Sequence, residues 1–146
     1  ILKSNLLTLI FCYALLFCSL FAQAQVVKDS MSTSIIVRLH QKADFENYQV
    51  KFKSVITDSR CPKSVMCVRA GEADVLVSIH KNGKFIKDKK IRIDASGYVL
   101  ESNNLAFDAK DYKIYGFSLA PYPKDVAEIR NKDYQLELVF KPKLLE

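Results

Sequence analysis

Between Ser34 and Lys141 the apolar residues fall at every second position in one segment after another, and no sustained stretch repeats them at the interval of a helix. Ile35, Val37 and Leu39 alternate with Ile36, Arg38 and His40. Tyr48, Val50 and Phe52 alternate with Gln49, Lys51 and Lys53. Ala73, Val75, Val77 and Ile79 alternate with Asp74, Leu76, Ser78 and His80, and Tyr134, Leu136, Leu138 and Phe140 close the chain in the same way. Successive strand side chains point to opposite faces, so each segment offers one face to a core and one to water. The pattern predicts strands over 34–40, 48–56, 73–80, 84–94, 110–120 and 133–141, with a further short strand or crossing segment at 97–100. That is an all-β chain: an antiparallel, immunoglobulin-like β-sandwich of about six to seven strands, with a small β-barrel as the alternative.

Punctuation between the segments supports an antiparallel layout. Lys81-Asn82-Gly83-Lys84 is a hairpin signal, because a type I′ turn needs two consecutive residues at positive φ. The return segment carries Lys84, Lys87, Lys89, Lys90 and Arg92, which suits a sheet edge that must not pair with another chain. Gly116 interrupts the alternation of its strand and predicts a bulge or a close backbone approach. Pro121-Tyr122-Pro123 ends that strand, since proline has no amide hydrogen to give to a ladder. Residues 125–130 are compatible with a single helical turn.

Ahead of the strands, Lys3 precedes an apolar run from Leu6 to Phe21 that closes on Ala22-Gln23-Ala24. This is the layout of a secretory signal helix cleaved before Gln25. An uncleaved anchor is the rival reading. A lipoprotein signal at Cys18 is disfavoured by the bulk of Phe17. The expected organisation is therefore a signal peptide over 1–24, a flexible spacer over 25–33 and one β-sandwich domain over 34–146, with no transmembrane segment after cleavage. The expected location is secreted, periplasmic or at the cell surface, and the expected state is a monomer.

Loss of the leader removes Cys12 and Cys18, and the two cysteines that remain, Cys61 and Cys67, form one expected disulfide in an oxidising compartment. It closes the short ring Cys61-Pro62-Lys63-Ser64-Val65-Met66-Cys67. Around it runs the most distinctive stretch of the chain: Asp58-Ser59-Arg60-Cys61-Pro62, then Cys67, then Ala70-Gly71-Glu72-Ala73-Asp74-Val75. This stretch resembles the cysteine loop of a group of small exported bacterial β-domains of uncharacterised function. In that group an aromatic residue precedes the Ala-Gly pair, and here Arg69 stands in its place. The resemblance implies a shared fold and an exported location, and it transfers no activity.

Two readings of the loop stand side by side. It is a staple that fixes two strands in register, or it is a rigid finger that displays Arg60, Lys63, Met66 and Arg69 to a partner. The lysine-rich hairpin, with Lys84, Lys87, Lys89 and Lys90, is the other candidate binding surface, for an acidic polymer. A net charge of +6 is too small to imply specific nucleic-acid recognition.

Catalysis has little to stand on. His40 and His80 are the only histidines, each on a separate strand, and no nucleophile, base and orienting group share a motif. Carboxylate pairs such as Asp108 with Asp111, or Glu72 with Asp74, would need a cleft between them to act. No metal or cofactor is expected. The reading is thus a non-enzymatic exported interaction domain, inhibitor-like through its closed loop. A loop-assembled hydrolase and a structural envelope component are the alternatives.

Overall fold

The alternating segments become strands because each supplies one continuous apolar face. β3 (Tyr48–Asp58) turns Tyr48, Val50 and Phe52 inward, and β4 (Glu72–Lys81) turns Ala73, Val75, Val77 and Ile79 the same way. The antiparallel register sets Val50 opposite Ile79 and Phe52 opposite Val77, so the two apolar rows coincide. In the computed structural model, which describes residues 31–144, eight strands form two four-stranded antiparallel sheets that do not close on each other. One sheet has the order β2-β3-β4-β5, with β2 at Lys42–Phe45 and β5 at Lys84–Asp94. The other has the order β1-β8-β7-β6, with β1 at Thr33–Arg38, β8 at Gln135–Pro142, β7 at Tyr112–Ala120 and β6 at Leu105–Asp108. Residues 1–24 of the expected leader, and 25–30 of the expected spacer, lie outside the described residues.

The core lies between the sheets. Phe45 of β2 stacks on Phe140 of β8 with ring centroids 4.4 Å apart and meets the edge of Tyr112 of β7 at 5.1 Å. At the other side of the sandwich Gly116 of β7 sits so close to Ile91 of β5 that a methyl at its Cα would meet Ile91 Cδ1 at 2.3 Å. The register of β7 also shifts between Gly116 and Ser118, so this glycine marks both a bulge and a close approach. Tyr48, Phe52, Ile79, Ile91, Ile114, Leu136, Leu138 and Phe140 are fully enclosed.

Asn82 and Gly83 both take positive φ, 51° and 77°, as the type I′ hairpin between β4 and β5 requires. β5 is an edge strand. Its Lys87 and Lys89 stand opposite Ile79 and Val77 and so point along the inward row, where Lys87 Nζ lies 5.4 Å from the Phe107 ring of β6. Inward-pointing charge on an edge is a recognised obstacle to sheet-on-sheet pairing.

The strand inventory departs from the sequence expectation in three places. No strand forms over 97–100. Two four-residue edge strands, β2 and β6, form where four residues are too few to establish a period. The expected helical turn at 125–130 is open chain, and a single 3-10 turn forms just after it at Asn131–Asp133.

Candidate functional site

β3 ends on Asp58, and the next residues turn the chain so that Arg60 points back into the protein. Arg60 is buried, with its side chain 3% exposed. Its Nε donates to Asp58 Oδ1 at 2.8 Å and its Nη2 to Asp58 Oδ2 at 2.7 Å, a bidentate pair. The remaining donors reach across to the end of β7 and the residue just after it: Nη1 to the Leu119 carbonyl at 2.6 Å and Nη2 to the Pro121 carbonyl at 3.0 Å. Tyr134 Oη donates to Asp58 Oδ2 at 3.0 Å. The guanidinium also lies 5.2 Å from the ring centre of Tyr122. One buried cation therefore joins the end of β3 to the segment that follows β7.

The return of the loop is equally constrained. Ser59 N donates to the Glu72 carbonyl at 2.8 Å, and Cys61 N to the Ala70 carbonyl at 2.7 Å. Gly71 lies between them at φ 78°, and a methyl there would fall 1.9 Å from the Ser59 carbonyl oxygen. Only glycine fits, because the side-chain position is occupied by backbone and the φ is left-handed. The Asp-Ser-Arg-Cys and Ala-Gly halves of the motif are thus two sides of one backbone clasp.

Beyond the clasp, Cys61 and Cys67 are disulfide-bonded with Cα atoms 6.0 Å apart. Lys63 N donates to the Pro123 carbonyl at 3.1 Å, Ser64 N to the Lys124 carbonyl at 3.0 Å, and Tyr122 Oη to the Cys61 carbonyl at 2.7 Å. These bonds lay the first half of the ring along the segment after β7. The chain around Cys67 stands clear: Met66 within the ring and Val68 just after it are fully exposed at 101% and 106%. Arg69 pairs with Glu72 at 2.8 Å and is itself largely exposed. Of the four residues expected on the finger, Lys63, Met66 and Arg69 are displayed on its surface, whereas Arg60 is turned inward. Its reversal follows from Asp58, which offers a buried carboxylate two residues away.

Beside the loop a cleft of about 310 Å³ opens between the end of β3 and residues 123–131. Asp58, Tyr134, Ile56, Val126, Asp125 and Glu128 are among the residues that line it. Burial by itself would raise the Asp58 carboxyl, but the hydrogen bonds and charge of Arg60 and the hydroxyl of Tyr134 outweigh it and hold Asp58 below its ordinary value. Burial, followed by the neighbouring Asp58 charge and the bond to it, pushes the Tyr134 hydroxyl up to about 12. The pair is therefore a carboxylate and a neutral phenol at neutral pH. The sequence marks Tyr112 and Tyr134 as core tyrosines whose hydroxyls find backbone partners. Both instead bond to carboxylates, Tyr134 to Asp58 and Tyr112 to Glu46 at 2.8 Å.

The basic hairpin is less bare than its sequence suggests. On the outer face of its sheet Lys90 and Arg92 both pair with Asp74, at 3.1 and 2.9 Å. Asp88 accepts from Lys53 at 2.9 Å and from Ser78. Lys87 faces Phe107. Lys84 and Lys89 are exposed, and among the described residues no ion pair holds either. His40 occupies a turn at φ 69°, and His80 packs edge-on to Phe85 at 5.6 Å; neither lines the cleft. Among the described residues no group of three or more His, Cys, Asp or Glu side chains is placed to hold a metal ion, and no helix is long and apolar enough to cross a membrane.

Compared with family models, with curated proteins and with solved structures, the chain finds no match.

Proposed function

We propose that the chain is an exported, non-enzymatic binding domain of immunoglobulin-like type that presents its Cys61–Cys67 loop to a protein partner, as a small inhibitor presents a loop to a protease cleft. The observation that carries this reading is the contrast within the loop. Its base is fixed by a buried arginine, a backbone clasp and a disulfide, while Met66 and Val68, on either side of Cys67, are wholly in water. A core-stapling loop gains nothing from two bare apolar side chains. A recognition loop gains from them twice, because apolar area is removed from water on binding and little ordering entropy remains to be lost. Lys63 and Arg69 are exposed on the same loop and supply charge for orientation. The motif's likeness to exported bacterial β-domains agrees with a role outside the cytoplasm.

The test is inhibition of a panel of serine, cysteine and metalloproteases, with Met66→Asp and Val68→Asp as variants. Both positions are exposed, so the variants should fold as the parent does. The reading expects inhibition of at least one protease by the parent and its loss in both variants. No inhibition across the panel, or inhibition that survives both substitutions, would sink it.

A further inference from the structure

Lys113 of β7 and Lys141 of β8 are directly opposite each other in the register, and Ile114 and Phe140 beside them are fully buried, so both lysines stand on the outer face. Like charges at such a position are separated by only about 5 Å at Cβ and repel. Among the described residues no ion pair relieves either one. The one carboxylate in the row, Asp108 of β6, stands opposite Lys113 but is taken by Lys143. Lys113 and Lys143 together hold Asp108 below its ordinary value, with the Lys143 hydrogen bond the larger cause.

The next opposed pair on this face is Tyr115 with Val139, only 8% and 7% exposed. A depression of about 440 Å³ is lined by Lys113, Tyr115, Lys141, Pro142, Lys143 and Leu144, and by the Asp108 carboxylate that Lys143 holds. It lies at the start of β7 and the end of β8, whereas the cysteine loop is tied to the far end of β7 through Leu119.

We propose that this depression binds a tetrahedral oxyanion, a phosphate or sulfate group, bridged by Lys113 and Lys141. Two lysines directly opposite each other on adjacent strands can each give an ammonium to a different oxygen of one such group, and each bond is charge-assisted. The anion converts the cross-strand repulsion into two attractions. In the hairpin Lys90 already has Asp74, Lys87 faces Phe107, Lys89 stands opposite Val77, and Lys81, the cross-strand neighbour of Lys84, lies over the Tyr48 ring at 5.4 Å. The site is independent of the loop reading and stands if that reading fails.

The experiment is amide chemical-shift titration of the whole protein with inorganic phosphate and, separately, with a sulfated oligosaccharide. The expected result is saturable shifts at Lys113, Tyr115 and Lys141 with at least one probe, together with a rise in melting temperature. The double variant Lys113→Gln with Lys141→Gln should bind about tenfold or more weakly. It should keep or gain stability without the probe, because a repulsion has been removed. A control with Lys84, Lys89 and Lys90 changed to Gln should bind as the parent does. Response to phosphate identifies a free anion as sufficient, and response to the oligosaccharide alone identifies a polymer-borne group. No saturable shift with either probe, or an equal loss in the hairpin control, overturns the proposal in favour of diffuse attraction by net charge.

Discussion

Arg60 and Asp58 are the residues through which the loop's position becomes measurable. Removing one partner of a buried ion pair leaves the other uncompensated, so Arg60→Ala should cost about 3–5 kcal/mol in urea unfolding. Arg60→Lys should recover little of it, since one ammonium cannot serve a bidentate carboxylate and two carbonyls in fixed directions. Met66→Ala should change stability by less than about 0.5 kcal/mol. The same pair gives the pH dependence its sign. The folded Asp58 carboxyl lies below its unfolded value near 3.8, so its contribution is complete above that value and is lost as the pH falls through the lower folded one. Tyr134 works in the opposite direction. Its folded value of about 12 lies above the ordinary 10.0, so its contribution is complete below about pH 10 and disappears as the pH rises through 12. Tyr134→Phe should therefore flatten the alkaline limb of a stability profile, and chemical denaturation across the pH range checks both limbs.

Among the elements, β5 shows most clearly how alternation and charge share one strand. Its second half obeys the period, with Ile91 and Ile93 buried. Its first half breaks the period on the inward row, where Lys87 and Lys89 occupy positions that Ile79 and Val77 fill on β4. Changing both lysines to Val would complete an apolar row on an unpaired edge. The expected outcome is self-association, seen as a concentration-dependent mass in light scattering, while the parent stays at one mass. β5 was legible in the sequence as an edge because its lysines are adjacent in the chain. β2 and β6 were not, because Lys42-Ala43-Asp44-Phe45 and Leu105-Ala106-Phe107-Asp108 are too short to show a period. Each exists because a longer neighbour, β3 or β7, offers it a ladder of backbone partners.

For the molecule as a whole, the disulfide closes a loop with a sequence separation of only 6, whereas the sandwich core spans both sheets. Chain entropy assigns so small a ring about 2–2.5 kcal/mol. Reduction should lower unfolding stability by about that amount and leave the near-ultraviolet signature of the packed tyrosines intact, because Arg60 and the Gly71 clasp hold the loop's base without it. Collapse of that signature on reduction would mean the bridge holds the fold itself. The all-β class, the Asn82-Gly83 hairpin, the Cys61–Cys67 pairing and the basic edge were determined by residues close in sequence, through period, turn geometry and spacing. The Arg60–Asp58 pair is local, two residues apart; tertiary structure alone decided that Arg60 also reaches the Leu119 and Pro121 carbonyls, which lie about sixty residues away. It alone decided that Tyr134 meets Asp58 across 76 residues, and that Lys113 faces Lys141. Local sequence sets which face of a strand a side chain takes; only the register of distant strands sets what that side chain finds there.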